Sequence, residues 1–197
     1  MGSVRLRKTV LTILSLVVLS LSLAGCGKDQ PTLHVYNWGD YIDETILPEF
    51  EKETGIKVVY DTYSTNEDMY VKIKSGGSNY DLIFPSEYMV TRMINEGMLQ
   101  KIDLNKIPNY KNIDPKLMGA DYDPGNEYTL PYMWGTLGIL YNTTMVDEEI
   151  DSWDVLWDPK YAKEILMLDS QRDSIGAALL KLGYSVNTKD PKQLAEA

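Results

Sequence analysis

The chain has 197 residues, of which 24% are charged and 44% hydrophobic, and its formal net charge is −10. These values are typical of a folded soluble protein and exclude a disordered or fibrous chain. Because it has one His and one Cys, a His/Cys metal cluster and an internal disulfide are excluded, and its acidity argues against a nucleic-acid partner.

The first 25 residues have the pattern of an export signal. A basic segment at residues 5–8 precedes an apolar run at 9–23, which is shorter than the ~20 residues that a membrane-spanning helix needs. Residues 23–26 (LAGC) resemble a bacterial lipobox, which implies cleavage before Cys26 and attachment of diacylglycerol to its sulfur. An ordinary secretory signal that ends near a lone Cys is the alternative. Cleavage would remove three basic and no acidic residues and leave a net charge of −13.

Strand and helix patterns alternate after a short tether at residues 26–32. Strands are predicted at 33–37, 56–60 and 81–84. Helices are predicted between and after these strands, with N-caps at Asp43, at Ser64 or Thr65, and at Ser86. This βαβαβ alternation predicts a parallel sheet with helices on both faces.

The second half of the chain predicts a long connection and then a new α/β unit. Residues 103–128 are rich in Pro, Gly, Asn and Asp, which is typical of an irregular segment with short helical turns. Strands are then predicted at 136–141 and 165–168, and helices at 153–157, at 174–182 and from 193 onward. We therefore expect a first α/β lobe at residues 33–134 and the start of a second at residues 135–197.

Candidate binding residues follow if the sheet order is 2-1-3. Ligands of open α/β sheets bind beyond the carboxyl ends of the strands, where successive crossovers leave in opposite directions. The loops at that point, residues 38–41 and 85–88, both carry aromatic and acidic side chains. Rings attract an alkyl ammonium through their quadrupole, and carboxylates accept its charged hydrogen bonds. The structural alternatives are packing of the rings between loop and sheet, and N-capping of a helix by Ser86.

A third polar cluster follows the last predicted strand. Residues 169–173 combine two acidic side chains with Ser170 and Arg172. Helix capping with an internal ion pair, which would contribute little to stability, is the structural alternative. His34 lies within a predicted strand and is expected to be inert.

Five segments taken together resemble a known family. They are residues 36–41 (YNWGDY), 53–58 (ETGIKV), 80–88 (YDLIFPSEY), 96–99 (EGML) and 130–135 (LPYMWG). In this order they resemble the spermidine/putrescine-binding proteins of polyamine ABC importers. The resemblance implies an α/β fold of the periplasmic-binding-protein-like (type II) class, with two lobes that close on a polyamine. Family members are longer, so it also implies an N-terminal fragment truncated within the second lobe.

The resemblance also assigns site residues. The residues implied to contact the polyamine are Trp38, Tyr41, Ser86, Tyr88, Ser170, Asp173 and Asp169. The family places acidic side chains where this chain has Ser170 and Asp173. Asp173 keeps an acid, whereas Ser170 replaces one, and Asp169 could compensate for that replacement.

The expected function is extracytoplasmic capture of polyamines and their delivery to ABC permease subunits. The protein is expected to be a monomer that is lipid-anchored on the outer face of the cytoplasmic membrane or in the periplasmic space, without cofactor, metal ion or catalysis. One alternative is a receptor of the same fold for another solute, such as Fe(III) bound by Tyr side chains. Others are a hydrolase that uses His34, which no nucleophile-elbow pattern supports, and a truncated product without function.

Overall fold

The computed structural model describes residues 30–76 and 79–197. The predicted signal at residues 1–25 and the predicted lipidation of Cys26 lie outside the described residues. The described residues divide into two compact units, one of residues 30–62 and 79–83 and the other of residues 63–76 and 84–197. The lobe boundary near residue 135 stays a prediction.

The first unit contains a three-stranded sheet. Its strands are β1 (Thr32–Trp38), β2 (Lys57–Tyr63) and β3 (Leu82–Ile83). They lie in the order β2-β1-β3. The last residue of β2 belongs to the second unit. β1 and β3 are parallel, with Val35 opposite Leu82. The sheet order 2-1-3, on which the candidate binding residues depend, is therefore observed, and β1 is the central strand.

One helix, α1 (Ile46–Thr54), connects β1 to β2 in the first unit. The prediction of Asp43 as its N-cap is wrong, because Thr45 occupies that position. The Asp43 carboxylate instead accepts hydrogen bonds from the backbone N–H of Thr45 at 3.0 Å and from its hydroxyl at 2.7 Å. Asp43 thus closes a turn before the helix begins. Gly55 ends α1 with φ +72°, a left-handed conformation that favours glycine.

The second unit begins with α2 (Asn66–Lys74) and α3 (Glu87–Asn95). Thr65 caps α2 as predicted, because its hydroxyl accepts from the backbone N–H of Asp68 at 3.1 Å. Ser86 occupies the N-cap position of α3, but its side chain caps no backbone N–H of that helix. The apolar side chains buried along the two helices are Met69, Tyr70, Met89, Val90 and Met93.

The predicted irregular connection is confirmed. It contains three short 3-10 turns, at Leu104–Lys106, Pro108–Asn112 and Pro115–Leu117. It ends in a loop organised around Asp123, which is 4% exposed. The Asp123 carboxylate accepts from the backbone N–H groups of residues 127, 128 and 129 at 3.0, 2.9 and 2.8 Å. Because three N–H groups share one side chain, Asp123 fixes the course of this loop.

The strands predicted at 136–141 and 165–168 are wrong. Neither segment pairs with a strand in the described part of the chain. Leu140 is 99% exposed and Leu166 97% exposed. A strand persists only when its backbone N–H and C=O groups pair with those of a neighbouring strand. These segments have the residue types of strands but no such neighbour among the described residues.

The unit ends with short helical elements. The helix predicted at 153–157 is a 3-10 helix, Trp153–Trp157, and Pro159–Tyr161 is another. α4 (Gln171–Lys181) begins three residues before the predicted start, and α5 (Pro191–Glu196) follows it. α4 packs against α5 and Trp153–Trp157.

Candidate functional site

Trp38 and Tyr41 lie together at the carboxyl end of β1 in the first unit. Their ring centroids are 5.7 Å apart, with planes inclined by 31°. Trp38 is half-buried, and its C=O accepts from the Tyr60 hydroxyl at 3.4 Å. Tyr41 is exposed. Because β1 and β3 are parallel, this aromatic pair lies at the sheet edge where both strands end, as the strand order predicted.

Asn37, which sequence reasoning did not select, supports this pair from within β1. Its side chain is fully buried, and its Oδ1 accepts from the backbone N–H of Trp38 at 2.8 Å. Its Nδ2 has no hydrogen-bond partner among the described residues. The buried amide therefore fixes the backbone from which the Trp38 ring projects.

Ser86 and Tyr88 lie together in the second unit, joined by Asn66. Asn66 Nδ2 donates to Ser86 Oγ at 3.0 Å and to the Tyr88 hydroxyl at 3.0 Å. Asn66 Oδ1 accepts from the backbone N–H of Ser86 at 3.0 Å. Sequence reasoning missed Asn66, because nothing in its local pattern indicates partners 20 and 22 residues away along the chain.

Tyr88 has a neutral hydroxyl and a cation close to its ring. Partial burial is the main cause that raises the pKa of Tyr88 to about 12, while the hydrogen bond from Asn66 acts in the opposite direction. Its hydroxyl donates to Glu67 Oε1 at 3.1 Å. The guanidinium of Arg172 lies 5.7 Å from the ring centroid, within the range of a cation–π interaction.

Ser170 and Asp173 lie together at the start of α4, and the structural alternative of helix capping is observed for Ser170. Its hydroxyl accepts from the backbone N–H of Asp173 at 3.3 Å, which explains why α4 begins at Gln171. Asp169 is exposed and Asp173 half-buried. The alternative of an ion pair within residues 169–173 is not observed, because Arg172 donates to Asn187 Oδ1 at 2.6 Å.

A cavity of about 170 Å³ lies beside these residues within the second unit. Its polar wall includes Glu67, Tyr88 and Arg172, and its apolar wall includes Ile175, Leu179 and Val186. The cavity brings Tyr88 close to the helix that Ser170 caps. Over residues 30–76 and 79–197, no group of three or more His, Cys, Asp or Glu side chains could hold a metal ion.

Across residues 30–76 and 79–197, no helix is both long enough and apolar enough to cross a membrane.

Comparison with known proteins identifies relatives along most of the chain. The family model for bacterial extracellular solute-binding proteins matches residues 45–197. The spermidine/putrescine-binding periplasmic protein of Salmonella typhimurium is 44% identical over 188 residues, a match that covers 94% of this chain and 54% of that protein. The chain thus spans about half the length of the curated relatives it matches.

Solved structures agree with this comparison. A putative spermidine/putrescine ABC transporter protein from Listeria monocytogenes matches with a TM-score of 0.81 and 45% identity, covering 84% of this chain and 52% of that chain. The TpPotD lipoprotein of Treponema pallidum matches with a TM-score of 0.78 and 40% identity, covering 84% and 52%. The predicted resemblance and the predicted periplasmic-binding-protein-like α/β fold are therefore confirmed.

Proposed function

The chain belongs to the family of bacterial extracellular solute-binding proteins, and from this premise we propose that it captures polyamines for an ABC importer. Relatives named for binding spermidine and putrescine support this ligand class. The observation that carries the proposal is the Trp38–Tyr41 pair at the carboxyl end of the central strand. Catalysis, a cofactor and a metal ion have no part in the proposal.

The proposed site residues match the chemistry of a polyamine, which is a flexible hydrocarbon chain with charged amino groups. The rings of Trp38, Tyr41 and Tyr88 would cover the methylene groups and attract the ammonium charges. The carboxylates of Asp169 and Asp173 would accept charged hydrogen bonds. A mature chain with a net charge of −13 would also raise the local concentration of cations.

Capture at the cell envelope is part of the same proposal. Relatives named as periplasmic support the compartment, and the lipoprotein of Treponema pallidum supports an anchor at Cys26. Two or more acyl chains hold a protein on a membrane, whereas one is marginal. We propose a tether at 26–32, a first lobe at 33–134 and a second lobe that begins at 135, acting as a monomer with ABC permease subunits.

Calorimetric titration with spermidine and putrescine tests the proposal. The sample is the full product of the gene that encodes this chain. Trp38→Ala and Asp173→Ala are each expected to weaken binding about tenfold, because the first removes a cation–π contact and the second a charged hydrogen bond. The matched controls Trp157→Ala and Asp121→Ala are expected to bind like the wild type. A flat wild-type titration would contradict the proposal, and Fe(III)-dependent absorbance would favour the iron receptor.

A further inference from the structure

We infer that Asn66 is a positioning residue of the proposed polyamine site, because its side-chain amide holds the hydroxyl groups of Ser86 and Tyr88 in one fixed arrangement. The inference rests on the proposed function, together with the predicted contacts of Ser86 and Tyr88 with the polyamine. Asn66 itself is 4% exposed, so it acts from behind these residues and does not touch the polyamine.

The hydrogen bonds of Asn66 account for both donors of its amide. A primary amide has two N–H donors, and Asn66 directs one to Ser86 Oγ and the other to the Tyr88 hydroxyl, both at 3.0 Å. Its carbonyl oxygen accepts from the backbone N–H of Ser86 at 3.0 Å. The amide therefore binds Ser86 at two points and Tyr88 at one, which fixes the distance between the two hydroxyl groups.

The position of Asn66 is itself rigid. It is the first residue of α2, directly after the capping residue Thr65. The next turn of this helix carries the buried side chains of Met69 and Tyr70. Because the helix start is capped and its next turn is packed, the amide cannot swing away from its partners without disturbing α2.

These bonds set what the two hydroxyl groups can offer a ligand. A hydroxyl has one proton and two lone pairs, and each of these oxygens uses one lone pair to accept from Asn66. The Tyr88 hydroxyl donates its hydrogen bond to Glu67 Oε1 at 3.1 Å. Ser86 Oγ keeps a second lone pair, which can accept from an ammonium group, a species that has only donors.

The carbonyl oxygen of Asn66 adds selectivity for a cation. Free N–H groups at the start of a helix favour an anionic guest. The backbone N–H of Ser86, the N-cap residue of α3, is already bound to Asn66 Oδ1. Asn66 thus removes a donor that would favour an anion and leaves an acceptor that suits an amine.

A double-mutant cycle tests the inference on the full product of the gene. Calorimetry measures spermidine affinity for the wild type, Asn66→Ala, the pair Ser86→Ala/Tyr88→Phe, and the triple variant. We expect Asn66→Ala to weaken binding about tenfold in the wild type, but less than twofold when both hydroxyl groups are already absent, since Asn66 acts through them. Equal weakening in both backgrounds would overturn the inference.

Stability is measured separately, by thermal unfolding of each variant. If Asn66→Ala does not unfold cooperatively, Asn66→Leu replaces it in the same cycle, because leucine keeps the approximate shape and removes the amide. The matched control is Asn126→Ala, since Asn126 is a second buried asparagine of the same unit whose amide binds Gly119 and Thr129. We expect this control to lower the melting temperature without changing spermidine affinity.

The outcomes separate the inference from the proposed function. A flat titration of the wild type overturns the proposed function and the inference with it. Wild-type binding that Asn66→Ala leaves unchanged overturns the inference alone.

Discussion

Tyr88 shows how the environment of one residue sets its protonation. The pKa of this phenol rises from its usual 10.0 to about 12, chiefly because burial disfavours the charged phenolate, and the nearby Glu67 carboxylate adds to the effect. Tyr88 therefore stays neutral, and able to donate to Glu67, to a higher pH than an ordinary tyrosine does. A raised pKa stabilises the fold fully below pH 10, and this stabilisation is lost as the pH rises through about 12.

The pH dependence of unfolding is expected to reveal this shift. Between about pH 10 and pH 12, the free energy of unfolding should fall more steeply for the wild type than for Tyr88→Phe. Urea denaturation at several pH values measures the free energy of unfolding of both proteins. Tyr110→Phe is the control for removing a phenol hydroxyl elsewhere in the chain. Parallel curves for the wild type and Tyr88→Phe would contradict the assignment.

Glu96 is a second residue whose partners determine its charge. It accepts from the Tyr70 hydroxyl at 2.7 Å, from Lys74 Nζ at 2.9 Å and from Arg92 Nε at 3.0 Å. These hydrogen bonds, with that of Tyr70 the largest cause, lower the pKa of Glu96 to about 2. A lowered pKa stabilises the fold above the usual value of 4.5, and this stabilisation is lost as the pH falls through about 2.

We therefore predict that Glu96→Gln unfolds at a lower urea concentration than the wild type at pH 7. The difference between the two proteins should shrink as the pH approaches 2, where the wild-type carboxylate becomes protonated. The control is Glu149→Gln, which removes the same charge from an exposed residue of the same unit. A difference that stays constant with pH would show that the charge on Glu96 does not stabilise the fold.

At the scale of elements, the loop at residues 119–129 depends on one carboxylate. Burial raises the pKa of Asp123, but bonds from the backbone N–H of Tyr128, the Thr129 hydroxyl and two further N–H groups outweigh burial and lower it. Asp123→Ala is expected to reduce the free energy of unfolding by about 3 kcal/mol, because several half-buried donors lose their acceptor. Urea denaturation measures the loss, and exposed Asp121→Ala should change stability by less than about 0.5 kcal/mol.

Local signals predicted elements well where the deciding contacts are local. Thr65 caps α2 as expected. The order of the first three strands also agrees with the expected one, although long-range pairing decides it. The predicted start of α4 at residue 174 is three residues too late, because the Ser170 hydroxyl accepts from the backbone N–H of Asp173 and the helix begins at Gln171. At the candidate site, Ser86 was selected by its position, whereas Asn66 depends on a long-range contact that no local pattern contains.

At the scale of the whole molecule, partners decide which strand patterns become strands. β1 and β3 pair within the chain, so their residues form a sheet. The segments at 136–141 and 165–168 have similar residue types, but no described strand lies beside them. Periodicity therefore predicts which residues can line a sheet, whereas the presence of a neighbouring strand is a property of the complete fold.

The exposed apolar side chains of these segments lead to a last prediction. Because Leu140 and Leu166 are almost fully exposed, the 197-residue chain should bind the dye ANS, which detects accessible apolar surface. The double variant Leu140→Ser/Leu166→Ser should bind less dye and keep its melting temperature, since neither side chain contributes buried area. Leu179→Ser, at a site in α4 that is 2% exposed, should instead lower the melting temperature and bind more dye. If the double variant also melted at a lower temperature, at least one of the two leucines would be buried in solution.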